Sequence, residues 1–450
     1  MKINIILILI ILGTMTHSHA GDEPEVPSRE EWAQAMLNAV GNSGPRLNQM
    51  IRALAAYCAS SEETYFTGLD GNCDGLYIAG LNGNGTVIKT VLRRLRPREV
   101  VQSARTSAEI VATQQANIAT RMTQVRNGAG NSLAGLQLEN HSKNLSPQTL
   151  TYLNNNEGSS NANEFISPWG FFMNGQISSG DFSYADANDE GFDFDTKGIT
   201  AGVDYRLSSR TLIGLAIGYA NFDSDIAEDA QMQSTSLTLS AYGSFNINSN
   251  FYVDARVSSG QPEFDQSRSI NFVIDGQETN TSAIGETDGS QQSVVFSTGY
   301  QINANGWQLT PSASLEYSQS KVDQFIESQA GAWNVGFSEQ NFETTRLTLG
   351  FQANKVISLT NGVLIPSMGY SYINENQDGD DFIKMRVSGM PPGEFFLVET
   401  GFNDENYSTA HLGLTFVSSR GKQAFIQYSE VFGWEGFDRS SLNFGARFEF

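Results

Sequence analysis

Past its first twenty residues the chain contains no long apolar run, so nothing there can cross a bilayer as a helix of ~20 residues. If such a chain lives in a membrane it must do so as a closed barrel, because lipid forces every backbone polar group to be paired. Basic residues are scarce. The chain has 27 Lys and Arg against 49 Asp and Glu, a net charge of −22, which excludes nucleic acid as a partner. Histidine is rarer still: beyond His17 and His19 there are His141 and His411, and no G-x-S-x-G elbow accompanies them. A nucleophile–base pair therefore has little to draw on, which argues against an enzyme. No tandem repeat occurs upstream, which argues against a β-helical stalk. Cysteine is limited to Cys58 and Cys73. In an exported chain a pair so close in sequence reads as a disulfide rather than half of a metal site.

Export is indicated by the first residues. Lys2, the apolar run Ile5 to Leu12 and the small-x-small triplet Ser18-His19-Ala20 have the layout of a secretory signal peptide over 1–20, with maturation expected at Gly21. The apolar run is too short to be a membrane anchor.

Downstream, residues 166–450 hold about twelve segments in which apolar and polar side chains alternate. They are Trp169–Ser179, Thr196–Leu207, Thr211–Phe222, Thr235–Ile247, Phe251–Ser259, Gln291–Ile302, Gln308–Ser320, Thr344–Ile357, Val363–Ile373, Tyr407–Val417, Gln423–Phe432 and Arg439–Phe450. Every even connection is short, as at Ser208–Arg210, Asn248–Asn250, Asn303–Gly306, Ser358–Gly362 and Ser418–Gly421. The odd ones are longer or more acidic, the longest being Gln261–Ser290, Lys321–Glu343 and Asn374–Asn406. Short turns at one rim and long loops at the other are what an outer-membrane barrel shows, and a soluble β-sandwich has no reason to sort its loops by parity. The acidic patches Asp181–Asp195, Asp223–Asp229 and Glu375–Asp381 read as solvated loops.

The phase of the alternation assigns faces. In the last segment Leu442, Phe444, Ala446, Phe448 and Phe450 face lipid, and Asn443, Arg447 and Glu449 face the lumen. Asp204, Arg206, Asp254, Arg256, Glu316 and Arg346 also fall inward, as does His411, opposite in phase to Leu412 and Leu414. These mixed charges suit a narrow lumen where they pair with one another or with an inserted segment; lining water is the equal alternative.

Upstream the period changes. Residues Arg98 to Asn127 lack Gly and Pro, carry Ala104, Ala108, Val111, Ile118, Met122 and Val125 at helical spacing, and are bounded by Pro97 and Gly128. Glu30–Val40 and Leu47–Ala59 predict two shorter helices, so residues 21–127 form a small helical region. Residues 128–165, rich in Asn, Ser and Gly, read as a linker. Asp70-Gly71-Asn72-Cys73-Asp74-Gly75 mimics the start of a calcium loop, but its twelfth position is Leu81 where a bidentate Glu is required. No metal and no cofactor is expected.

A signal peptide, a helical stretch, a linker and about twelve alternating segments ending on Phe450 resemble a type V autotransporter, with 167–450 similar to its translocator β-domain. The run Arg98-Glu99-Val100-Val101-Gln102 through Ile118-Ala119-Thr120-Arg121-Met122 resembles the segment many such proteins carry ahead of the barrel. The resemblance implies a monomeric barrel in the outer membrane of a Gram-negative bacterium, its loops at the cell surface. Its partners are then lipid, the barrel-assembly machinery and periplasmic chaperones. The last strand, Leu442, Phe444, Ala446, Phe448 and Phe450, is then the assembly signal, and an N-terminal segment passes through or plugs the pore. The region before the helix is far shorter than a β-helical passenger, and no self-cleaving Asn pair is found; Asn154-Asn155-Asn156 suits a turn. The lumen segment is expected to be Arg98–Asn127, with Leu145–Leu153 as the alternative. In a second reading the chain is a stand-alone, non-enzymatic barrel whose small helical region is a binding module, periplasmic or surface-exposed.

Overall fold

The computed structural model describes residues 28–41, 45–58, 70–95, 98–126, 168–183, 191–226, 230–380, 382–388, 395–399, 405–418 and 422–449. The signal peptide, the linker segment with its alternative plug, His141 and Phe450 lie outside the described residues, as do the side chains of Phe448 and Glu449.

Twelve long antiparallel strands form one barrel, each at its expected place in the sequence. They are β1 Trp169–Phe182, β2 Phe192–Arg206, β3 Thr211–Ile226, β4 Ala230–Asn246, β5 Phe251–Ile274, β6 Gln277–Tyr300, β7 Trp307–Val322, β8 Gln340–Lys355, β9 Gly362–Gly379, β10 Glu405–Ser418, β11 Gln423–Phe432 and β12 Phe437–Glu449. Each pairs with its neighbours in sequence, and β12 pairs with β1 from Phe182↔Phe437 to Gly170↔Glu449, which closes the ring and leaves no free edge.

Alternation sorts the side chains as expected. Large apolar groups point outward and stay open: Leu239 is 63% exposed and Leu412 66%. Such a band facing away from its own core is stable only against a nonpolar medium. Leu442 and Phe444 belong to it, and Phe444 lies over Gly175 of β1, where a side chain would collide with its ring. Trp169 and Tyr205 meet edge to face, with ring centroids 4.7 Å apart, beside the short-turn rim. The inward positions are polar, among them Thr200, Ser240, Ser258 and Ser293.

The structure departs from expectation at the other rim. Gln261–Ser290 is not a loop. It continues β5 and β6 far past the barrel as a hairpin that turns on Asp275 and Gly276, at φ 47° and 76°, the pair of positive φ values that a tight hairpin requires. Its inward phase is apolar at Phe264, Ile270, Phe272 and Ile274, while the β6 side is almost wholly polar. The other two long connections contribute the short strands Phe325–Ile326, Val335–Phe337, Phe382–Val387 and Phe396–Glu399, which make a separate four-stranded sheet.

Five helices are described: α1 Arg29–Val40, α2 Pro45–Cys58, α3 Asp70–Leu81, α4 Gly85–Leu95 and α5 Arg98–Arg126. A capping box starts α1, where Ser28 and Glu31 bond reciprocally; the Ser28 N–H and hydroxyl hold the Glu31 carboxyl below the usual range. Two helices, α3 and α4, escaped the sequence reading. In α4 Ile88, Val91, Leu92 and Leu95 share one buried face. The calcium-like hexad Asp70–Gly75 is helical rather than a loop, and no metal-binding cluster occurs among the described residues. A disulfide joins Cys58 of α2 to Cys73 of α3, with Cα atoms 5.6 Å apart.

Phe444→Asp should impair assembly, since a carboxylate on the outer face costs on the order of 1–2 kcal/mol or more at membrane depth and also uncovers Gly175. The amount of heat-modifiable protein in the envelope fraction measures this; an undiminished amount would contradict the assigned face.

Candidate functional site

The features that need explaining are the helix inside the barrel and the helices on top of it. At 29 residues, α5 is about 44 Å long at 1.5 Å per residue. It runs inside the barrel and packs on β1 through β7. At its start Gln102 accepts from Ser224 Oγ (3.2 Å), near the long-loop end of β3. At its end Arg126 pairs with Asp254, four residues past the short turn Asn248–Asn250. The helix therefore passes through the lumen from the long-loop rim to the short-turn rim.

A helix with so little apolar surface can be buried only if its polar groups find partners. The Gln115 amide donates to Ser258 Oγ (3.0 Å) and Ser293 Oγ (2.6 Å). Asn117 donates to Thr200 Oγ1 (3.1 Å), whose hydroxyl donates to Gln114 Oε1 (2.8 Å). Small residues in the wall make room. A Cβ on Gly198 would run into Thr113, and one on Gly218 into the Gln114 side chain.

Charge fixes the register. Arg121, fully buried, donates through Nε (2.7 Å) to Asp204 Oδ2, with Nη2 in ion-pair contact with the same oxygen at 2.6 Å; Oδ2 also accepts from Tyr242 OH (3.3 Å). Asp254 takes Arg126 on one oxygen and Ser244 Oγ (2.7 Å) on the other. Across the lumen, Arg439 of β12 donates to both oxygens of Glu109 (2.9 and 2.8 Å). Near the long-loop end Arg105 stacks over Phe182, 4.1 Å from the ring centroid, within a buried aromatic cluster that includes Phe194, Phe222 and Phe437.

The other residues assigned inward lie as follows. Arg256 donates to the Gln115 carbonyl (3.3 Å). Arg346 donates to Glu375 Oε2 (2.7 Å) and reaches Glu316 (3.5 Å). Arg206 is half-buried at the short-turn end, Arg447 is buried, and Asn443 is buried beside it in phase. Sequence reading missed Glu375, placed in a solvated acidic patch. It is fully buried in β9 and also accepts from Tyr407 OH (2.8 Å). Extending the period of Val363–Ile373 by two residues puts it inward. Glu109 and Arg439 escaped because a pair so far apart in sequence leaves no local signal.

Outside the barrel, α1–α4 do not stand apart. Trp32, Met36, Ile51, Leu76, Ile88 and Leu92 share one apolar core with Ile270, Phe272 and Ile274 of the hairpin and with Trp333, Phe337, Met385 and Phe396 of the long connections. At its centre Arg268 makes two bonds of 2.8 Å to Glu327, donates to the Trp333 carbonyl (3.0 Å), and reaches the Arg94 carbonyl at the end of α4 (3.0 Å).

Between α5 and the β8–β12 wall a cavity of about 390 Å³ remains, lined by alanines of the helix, by amides and hydroxyls of the wall, and by charged groups that include Glu109, Arg256, Glu316, Arg346 and Arg439.

Asp204→Ala should lower the temperature at which the barrel loses its compact form in semi-native electrophoresis, because it leaves Arg121 buried and unpaired, a loss of roughly 3 kcal/mol or more. Asp204→Asn should cost less. An unchanged transition in Asp204→Ala would mean the pair does not hold the helix.

Comparison with known proteins bears on this arrangement. Residues 171–429 match the family model of the autotransporter β-domain. A Pseudomonas putida protein described as an uncharacterized protein in the trpE–trpG intergenic region is 26% identical over 209 residues, which are 45% of this chain and 33% of that protein. The chain thus spans about a third of the length of that relative. Among solved structures, the translocator domain of the autotransporter NalP from Neisseria meningitidis superposes with a TM-score of 0.51 at 16% identity, covering 66% of this chain and 94% of that one. The β-domain of the Bordetella autotransporter BrkA gives 0.48 at 16% identity, over 63% and 100%.

Proposed function

The chain belongs to the autotransporter β-domain family, and from that membership we propose that its barrel carried the N-terminal region outward and now keeps it, α5 as a plug and α1–α4 as a cap on the cell surface. The barrel itself is an outer-membrane protein of a Gram-negative bacterium. Its outward apolar band meets lipid, and each short turn faces the periplasm.

The observation that carries the reading is the shared core. A passenger meant for release would bury its apolar residues among themselves. Here Ile88 and Leu92 of α4 pack in one cluster with Ile270 and Phe272 of the barrel's own hairpin. Removing the cap would expose that surface on both sides, so retention is the stable state. The direction of α5, entering at the long-loop rim and ending at the short-turn rim, supports a cap outside the cell rather than in the periplasm. The work done is physical: anchorage, passage of one segment through a polar lumen, and display. No catalytic step is part of it, in line with His411 being the sole histidine in the barrel region. Assembly is assigned to the barrel-assembly machinery with periplasmic chaperones, reading the strand that ends at Phe450.

Epitope tags and a cysteine pair test this. A tag at Gly83, in the turn between α3 and α4, should be accessible on intact cells, and one at Ser249 should not. Thr113→Cys with Gly198→Cys should crosslink. Arg268→Ala strips Glu327 of its buried partner, at a cost of about 3–5 kcal/mol. It should make the cap protease-sensitive on cells while the barrel stays heat-modifiable. A cap recovered in the medium, or a tag at Gly83 reached only after permeabilisation, would refute retention at the surface.

A further inference from the structure

One stretch of the lipid-facing surface is not a plain apolar band. Across β12, β1, β2 and β3 the small residues Gly175, Ala201 and Ala446 sit among Phe171, Ile199 and Leu239, and the surface there forms an open groove of about 1320 Å³. Its outward side chains are apolar or aromatic except at the long-loop end, where Lys197 and Asn221 stand opposite each other. From Val203 to Lys197 the strand rises about 20 Å, or about 15 Å of membrane depth at a tilt near 40°. That is one leaflet of a ~30 Å hydrocarbon core. The volume exceeds the roughly 300–1,000 Å³ of a site for a small solute and suits acyl chains.

The polar end of the groove has its own order. Lys197 is the only lysine in β12, β1, β2, β3 and β4. It is exposed, in phase with Ile199, and makes no ion pair among the described residues. A lysine at the edge of lipid lays its stem on the apolar surface and keeps its ammonium at the headgroup level. Beyond it, toward the long-loop rim, the outward positions turn acidic. Asp195 lies two residues on, roughly 7 Å along the same face, and stands opposite Asp223; Asp193 stands opposite both Asp181 and Asp225. Like charges directly opposite on neighbouring strands are destabilising, and a cation between them relieves the repulsion.

Read outward along β2, the face therefore offers an apolar groove, then one ammonium, then carboxylates. A two-chain lipid with an aminoalkyl phosphate head carries the complementary order: acyl chains, phosphate, ammonium. A purely anionic head would meet Lys197 but be repelled by Asp195 and Asp223. A choline head has the right charges, but its nitrogen has no N–H to give a carboxylate, whereas a primary ammonium has three. We propose that this groove seats one phosphatidylethanolamine molecule, with a chain along Gly175 and Ala201, the phosphate on Lys197 and the ammonium between Asp195 and Asp223. The site depends on the outward face alone and not on what fills the lumen.

The test titrates the full chain, purified in detergent, with phosphatidylethanolamine, phosphatidylcholine and phosphatidylglycerol of matched acyl chains, and counts bound lipid by native mass spectrometry. One phosphatidylethanolamine should bind about tenfold or more tightly than either of the others. Lys197→Gln should weaken that binding about tenfold, and so should Ala201→Phe, which fills the groove with an apolar ring and leaves every charge in place. Asp195→Asn combined with Asp223→Asn should remove the preference over phosphatidylglycerol while lipid still binds. All these changes lie on the outer face, so each variant should stay heat-modifiable; were Lys197→Gln to fail in assembly, Ala201→Phe and the double variant would still decide. Equal binding of the three lipids, tighter binding of phosphatidylglycerol, or unchanged binding in Lys197→Gln or Ala201→Phe would overturn the assignment and leave only unselective lipid along the band.

Discussion

Everything in this molecule follows from the requirement that no backbone N–H or C=O be left unpaired where there is no water. Twelve strands meet it by pairing around a ring, with β12 closing on β1 over the full run from Phe437 to Glu449. Closure forces half of each strand to face a nonpolar exterior and half to face a common interior. The exterior half is solved by apolar side chains such as Leu239, Phe296 and Leu412. The interior half is polar and cannot close on itself, and that sets the remaining problems of the fold.

The helix α5 answers the first of them. Asp204 and Asp254 would be costly if merely buried, and each receives an arginine from the helix. Such pairs add little net stability against an apolar alternative, but they penalise every other register, and so they hold one polar helix in one position. The helix leans on one side of the lumen, where Gly198 and Gly218 admit it; of the opposite wall's charges Arg346 pairs with Glu375 on the wall itself, while Arg439 reaches across to Glu109 of the helix.

The second problem lies at the outer rim, where long connections carry apolar residues beyond the reach of lipid. Phe272, Trp333 and Phe337 are covered by α1–α4, which lack a sufficient core of their own. Phe272 and Trp333 meet edge to face at 5.3 Å. Cap and hairpin thus form one unit built from distant parts of the chain, and the pair Arg268–Glu327 ties the hairpin and the Lys321–Glu343 connection to the end of α4.

The architecture of the barrel could be read directly from the order of residues. Period-two alternation assigned the faces of Asp204, Asp254, Glu316 and Phe444, and loop parity told the two rims apart, because both follow from pleating and local turn geometry. The long helix was legible within one residue for the same reason. What was not legible depends on partners far away in sequence. The β6 half of the hairpin is polar on both faces and reads as a loop until β5 pairs with it. Glu375 looks like part of a solvated acidic run until Arg346 and Tyr407 enclose it. The Glu109–Arg439 bond joins residues 330 apart, and Gly75 of α3 meets Ile274 at the hairpin tip from 199 residues away. Local periodicity determined that this chain makes a closed barrel with a polar bore and one helix to offer it. Only the tertiary structure decided that the helix packs along one side of the bore and that the cap and the loops share a core, since each depends on which surfaces come together after the ring has closed.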